Sequence, residues 1–203
     1  MTLDIIKIYL PKFLSSESSK ELFDGLKDFP NNIDSRFYTN HIDESILYQG
    51  DGIMNMPVIN LPDNIIKNVD SIVMSNTCDI SDKNIRFFPS QIMYAPIVNL
   101  DKYKSGLMKK IPDLKKINAH IASIKKQHIT QIFYLPSYGS KFPESIVFLD
   151  RLYNINNSFI DTNRLSNNRI FTLSDFGVYV FILKLSIHFT RIQDKVERKS
   201  SRI

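Results

Sequence analysis

Eight lysines fall between residues 102 and 126: Lys102, Lys104, Lys109, Lys110, Lys115, Lys116, Lys125 and Lys126. Only Asp101 and Asp113 oppose them, so the stretch carries a local excess of six positive charges, more than the +5 of the whole chain. Cations at this density suit phosphate, because neutralising a nucleic-acid backbone releases condensed counterions. His120 lies in this stretch and His128 two residues beyond it, and both can gain a proton beside phosphate. A solvated helix face is the commoner role of a lysine run. Here the charge density argues for phosphate. Lys109, Lys110, Lys115, Lys116, Lys125 and Lys126 are the candidate nucleic-acid contacts. Tyr94 and Tyr103 are candidates to stack on bases.

A second cluster, Thr77-Cys78-Asp79, has the residue types of nucleophilic chemistry. A reactive thiol needs a histidine, a lysine or a helix N-terminus to lower its pKa. Asp79 works against that, and none of His41, His120, His128 and His188 is near in sequence. A small core residue ending an apolar strand is the favoured reading of Cys78, with Asp79 capping the following turn. Metal binding is not expected: His120 and His128 stand eight apart, and no other His or Cys pair has ligand spacing. Six glycines leave no phosphate-cradling loop, so no cofactor is expected.

The elements that must position these residues begin with three short apolar segments, each tied to a polar turn. They are Tyr48-Gln49-Gly50-Asp51-Gly52-Ile53, Ile72-Val73-Met74-Ser75-Asn76-Thr77-Cys78-Asp79-Ile80, and Met93-Tyr94-Ala95-Pro96-Ile97-Val98. Their order resembles the SH3-like barrel of the MazF/PemK toxin family, over about residues 48–100. Members of that family open on a Gly-Asp turn, continue to a strand ending in Ser-Asn, and pair it with an Ala-Pro-Ile strand. The resemblance implies a small antiparallel barrel and a place in a toxin–antitoxin or phage-defence system. The family's ribonucleases carry an arginine on the loop after the first strand and a threonine just beyond the Ala-Pro-Ile strand. Here Asn55-Met56-Pro57-Val58-Ile59-Asn60-Leu61-Pro62 has no basic residue, and Val98-Asn99 has no hydroxyl. Cleavage through a 2′-hydroxyl needs a base and a cation. General ribonuclease activity is therefore not expected; an endoribonuclease would need an active site relocated near Thr77-Cys78-Asp79.

Around that core the chain reads as α+β, one domain over 1–203, with 45–136 a barrel core holding an inserted basic helix and 137–203 a helical C-terminal part. Leu3 to Leu10 suggests a strand, and Ser18 to Glu21 a capping box ahead of a short helix. Leu114, Ile117, Ile121 and Ile124 form an apolar stripe on the basic helix. Ile132-Phe133-Tyr134-Leu135 reads as a strand, and Asn154 to Asn168 as a surface loop. Ser174 is the expected cap of a long apolar C-terminal helix, in which Lys184 is the only charge between Phe176 and Phe189. A helix apolar nearly all round needs cover on several sides. Phe176, Val180, Phe181, Leu183 and Phe189 are accordingly expected to dock a second protein chain, the same or different, with RNA or DNA as the other expected partner.

Composition bounds the rest. Hydrophobic residues make up 43% of 203, enough for a packed core. One cysteine excludes an internal disulfide and fits a reducing compartment. Asp4 interrupts the first apolar stretch, which does not read as a signal peptide, and no uncharged apolar run reaches the roughly 18 residues of a membrane span. The expected setting is cytoplasmic, without a membrane. The expected function is a non-catalytic subunit or a nucleic-acid-binding module.

Overall fold

The computed structural model describes Asp24, Phe29, Ile33 and residues 35–190 apart from Asp82 and Ile85. The strand expected at 3–10, the capping box Ser18–Glu21 and the charged tail from Arg191 lie outside the described residues. Among the described residues there are eight strands: β1 (Tyr38–Thr39), β2 (Gly52–Ile59), β3 (Ile66–Val73), β4 (Gln91–Asn99), β5 (Ile132–Leu135), β6 (Ser145–Phe148), β7 (Tyr153–Asn156) and β8 (Arg169–Leu173). The α-helices given in full by the described residues are α1 (Thr77–Ile80), α2 (Leu100–Met108), α3 (Leu114–Lys125), α4 (Leu165–Asn168) and α5 (Asp175–Thr190). The strands form one antiparallel sheet in the order β1-β8-β2-β3-β4-β6-β5, with β7 also paired to β4.

That sheet is open. No pairing joins β1 to β5, so the closed barrel expected from the strand order is not formed among the described residues. The β5 edge is occupied by a side chain instead. Gln127 Nε2 donates to the Tyr134 carbonyl at 2.7 Å, and Tyr134 N–H donates to Gln127 Oε1 at 3.1 Å. One amide thus satisfies both backbone groups of Tyr134 on that edge, and the Ile132 N–H goes to the Ile129 carbonyl at 3.1 Å. Gln127 lies just past α3 with φ of 56°, and its amide closes on the Ile124 carbonyl at 2.8 Å.

The β2–β3 hairpin shows how the core face is kept. Ile53 pairs with Ser71 and Met56 with Val69, so β2 carries one extra residue between them. Asn55 absorbs it at a φ of 59°, a left-handed geometry that asparagine tolerates better than most. Without the bulge, Ile53 and Met56 would point to opposite faces. With it both are buried, alongside Val73, Ile92 and Tyr94. The segment Asn55–Pro62, read above as a loop, is strand up to Ile59.

Strand β3 sits between β2 and β4, and its end, Ile72-Val73-Met74, is buried as its apolar run implies. Strands β5 and β6 are covered on both sides. Ile132, Tyr134 and Ile146 face α3, whereas Phe133, Leu135 and Val147 join the cluster that holds α5. This explains why Ile132-Phe133-Tyr134-Leu135 is apolar without alternation. Asn154–Asn168 is not a plain surface loop: it contains β7 and α4, and Leu165 is fully buried.

Helix α5 is capped by Ser174, whose Oγ accepts from Gly177 N–H at 3.1 Å. A Cβ on Gly177 would lie 2.3 Å from the Phe37 carbonyl oxygen, so only glycine lets the helix come this close. Phe181 packs on Phe133 with ring centroids 4.9 Å apart.

Candidate nucleic-acid interface

The basic stretch folds into two short helices, α2 and α3, whose caps come from the sequence itself. Asn99 Oδ1 accepts from Lys102 N–H at 2.9 Å, and Asp113 Oδ1 accepts from the Lys115 and Lys116 amides at 3.0 and 3.2 Å. Both acids of the stretch therefore sit at or next to helix starts, where negative charge is favoured. Ile117, Ile121 and Ile124 bury against β5 and β6. Leu114, expected on that stripe, is exposed instead, because it is the first residue of the helix and lies beyond the sheet's cover.

Lys102, Lys109, Lys110, Lys115 and Lys126 are exposed and have no ion-pair partner among the described residues; the same holds for half-buried Lys104. Lys116 reaches only Asp113, at 3.9 Å in an exposed position, which contributes little. Lys125 differs from the others in having a close ion-pair partner. Its Nζ donates to both oxygens of Glu144, at 2.6 and 2.7 Å, and Tyr134 donates its hydroxyl to the same carboxylate. Burial raises the Glu144 carboxyl, but the Lys125 and Tyr134 hydrogen bonds outweigh it and hold it below its usual range. Burial and that carboxylate keep the Tyr134 phenol protonated well above its ordinary limit. This trio ties α3 to β5 and to the start of β6.

On the other flank of α3, Lys116 and His120 are one turn apart. The Tyr103 hydroxyl and His120 Nε2 are hydrogen-bonded at 3.0 Å, with ring centroids 6.0 Å apart. Burial pushes the Tyr103 phenol up, with Arg151 pulling the other way. Tyr103 also meets Phe148 edge-on at 5.8 Å, and the Arg151 guanidinium lies 4.2 Å over the Phe148 ring. The sequence reading missed Arg151, Phe148 and Glu144, since they join the basic helices only through the β6 pairing. Tyr94, the other proposed stacking residue, is buried, with its hydroxyl given to the Pro57 carbonyl.

The Thr77-Cys78-Asp79 cluster is occupied with local structure. Asn76 Oδ1 caps α1 by accepting from Cys78 N–H at 2.9 Å. Thr77 Oγ1 accepts from the Gln49 amide at 2.9 Å, and Asp79 pairs with Arg86 at 2.5 Å. Cys78 is exposed rather than in the core, and its thiol has no hydrogen-bond partner among the described residues. No group of three or more His, Cys, Asp or Glu able to hold a metal is found among the described residues. No helix there is long and apolar enough to cross a membrane.

The Gly-Asp turn has a structural explanation. Gly50 takes a φ of 88°, and a Cβ there would stand 2.8 Å from Leu173 Cδ1. Asp51 is fully buried and accepts from Tyr48 N–H at 2.8 Å, Thr172 Oγ1 at 2.6 Å and Arg169 Nε at 3.1 Å. Burial pushes its carboxyl up, against these three hydrogen bonds. Arg169 donates further to the carbonyls of Ile46 and Glu44.

The expected docking residues separate. Val180 and Phe181 are buried in the chain's own core, which corrects their assignment to a partner. Phe176 packs near Phe37 and is half-buried, as is Leu183. Only Phe189 is exposed, at 59%. The one lysine of the helix, Lys184, is buried as well. It donates to the Gln127 carbonyl, and burial lowers its pKa to about 8.

Fold and surface together define an α+β protein in which a basic helix pair covers one face of an open antiparallel sheet. No protein-family model matches the chain, and no curated protein matches it.

Proposed function

We propose that this protein is a nucleic-acid-binding module without general ribonuclease activity, built on an opened relative of the MazF/PemK-type barrel. The observation that carries this reading is the basic face of α2 and α3, where Lys102, Lys109, Lys110, Lys115 and Lys126 are exposed without ion-pair partners among the described residues. Unpaired lysines of one sign concentrate counterions and exchange them for phosphate. The turn and strand order from Tyr48 to Val98 supports kinship with the toxin barrel, and hence a defence or toxin–antitoxin setting in a bacterial cytoplasm. The absent arginine and threonine, together with the structural engagement of Thr77 and Asp79, favour binding over cleavage.

Fluorescence anisotropy with labelled RNA and DNA over a salt series tests the reading. Binding should weaken steeply with salt, and the combined change of Lys109, Lys110, Lys115 and Lys126 to Glu should abolish it while the melting temperature holds. Absence of binding by the unaltered protein at low salt would refute it. A second reading, a non-catalytic subunit docked through the C-terminal helix, rests on exposed Phe189 alone.

A further inference from the structure

We propose that the ligand of this face is single-stranded nucleic acid, whose bases stack on Arg151 and His120, each held by an aromatic ring. The proposal rests on the basic-face reading and adds a ligand class to it. Arg151 follows β6 in a turn closed by its own amide on the Phe148 carbonyl at 3.2 Å. Its guanidinium lies 4.2 Å over the Phe148 ring, and the residue is exposed. A guanidinium resting on a ring on one side keeps its other face for a second planar group. His120 is fixed at its edge by Tyr103, through the 3.0 Å hydrogen bond, with the rings tilted 6.0 Å apart.

The two planar groups are not separate features. The edge contact of Tyr103 on Phe148, 5.8 Å between centroids at 69°, links them into one run: Arg151, Phe148, Tyr103, His120. Tyr103, Phe148 and His120 are all half-buried, so the run is anchored in the α2–α3–β6 packing and still reaches the surface. Lys104 adjoins Tyr103, and Lys116 lies one turn before His120, placing cations along the run for the backbone. Planar side chains interleaved with cations are what unpaired strands require, because every base has a π-face to offer. A duplex hides those faces inside its stack and meets only the charge.

The test compares labelled oligo-uridylate and oligo-thymidylate of about 15 nucleotides with a mixed-sequence duplex of equal length, all by anisotropy at low salt. Arg151→Lys keeps the charge and removes the plane. It should weaken single-strand binding about tenfold or more and leave duplex binding within about twofold. His120→Ala should act in the same direction, with thermal melts showing both variants folded. The two oligomers distinguish RNA from DNA as the preferred strand. Equal losses on single strand and duplex, or no loss with Arg151→Lys, overturn the stacking inference and leave the basic-face reading standing. Failure of the unaltered protein to bind any of the three overturns both.

Discussion

Asp51 and Arg169 stand 118 residues apart in the chain and form a buried ion pair, Nε to Oδ2 at 3.1 Å. The pair joins the turn before β2 to the start of β8, and Thr172 and the Tyr48 amide complete the carboxylate's hydrogen bonds. A buried pair is a weak source of net stability, but removing one partner strands the other charge. Arg169→Met should therefore cost about 3–5 kcal/mol in denaturant unfolding. Adding Asp51→Asn to it should cost less than the sum of the two single changes, since the stranded carboxylate is then gone. Strictly additive losses would show that the two side chains do not act as a unit.

Lys184 makes stability depend on pH in a defined direction. Its folded pKa is lowered by burial from 10.5 to about 8, so between those values the unfolded chain holds a proton that the native protein lacks. Stability should then rise with pH across that window and be flat in this respect below it. The ceiling is about 3 kcal/mol. Because tyrosines titrate nearby in pH, the measurement is the difference between the unaltered protein and Lys184→Met, followed by urea unfolding from pH 7 to 10.5. A difference that does not change over this range would remove the effect.

Gly177→Ala should destabilise the fold, opposite in sign to the usual helix-propensity change. Alanine normally gains about 1 kcal/mol over glycine inside a helix. Here its methyl would meet the Phe37 carbonyl oxygen at 2.3 Å, a backbone atom that also accepts from Ser174 N–H at 3.0 Å. A lowered melting temperature is expected, and a raised one would mean that the helix can move away at little cost.

Two phenylalanines of α5 should behave oppositely. Phe181, fully buried against Phe133, should unfold the protein as Asp and lose about 3–5 kcal/mol as Ala. Phe189→Asp, at an exposed position, should change stability by no more than about 0.5 kcal/mol. Thermal melts measure both. If the Phe189→Asp variant also sediments differently from the unaltered protein, the exposed end of the helix meets another chain.

Local pattern alone determined a good deal of this protein. The apolar runs at Ile72–Met74 and Ile132–Leu135 marked buried strands, because a segment with no polar face must be covered on both sides. The Lys102–Lys126 charge marked a basic surface and Ser174 a helix start, since capping and amphipathic spacing act within a turn or two. Tertiary structure decided what depends on partners far along the chain. Whether the sheet closes turned on β5, whose edge is filled by Gln127. Which lysine stays available turned on Glu144, 19 residues beyond Lys125. Whether α5 is core or docking surface turned on Phe133 and Phe37, which spacing within the helix cannot reveal. The meeting of Tyr103, His120, Phe148 and Arg151 came from the packing of α2 and α3 on β6, and no motif announces such a cluster because its members share no local period.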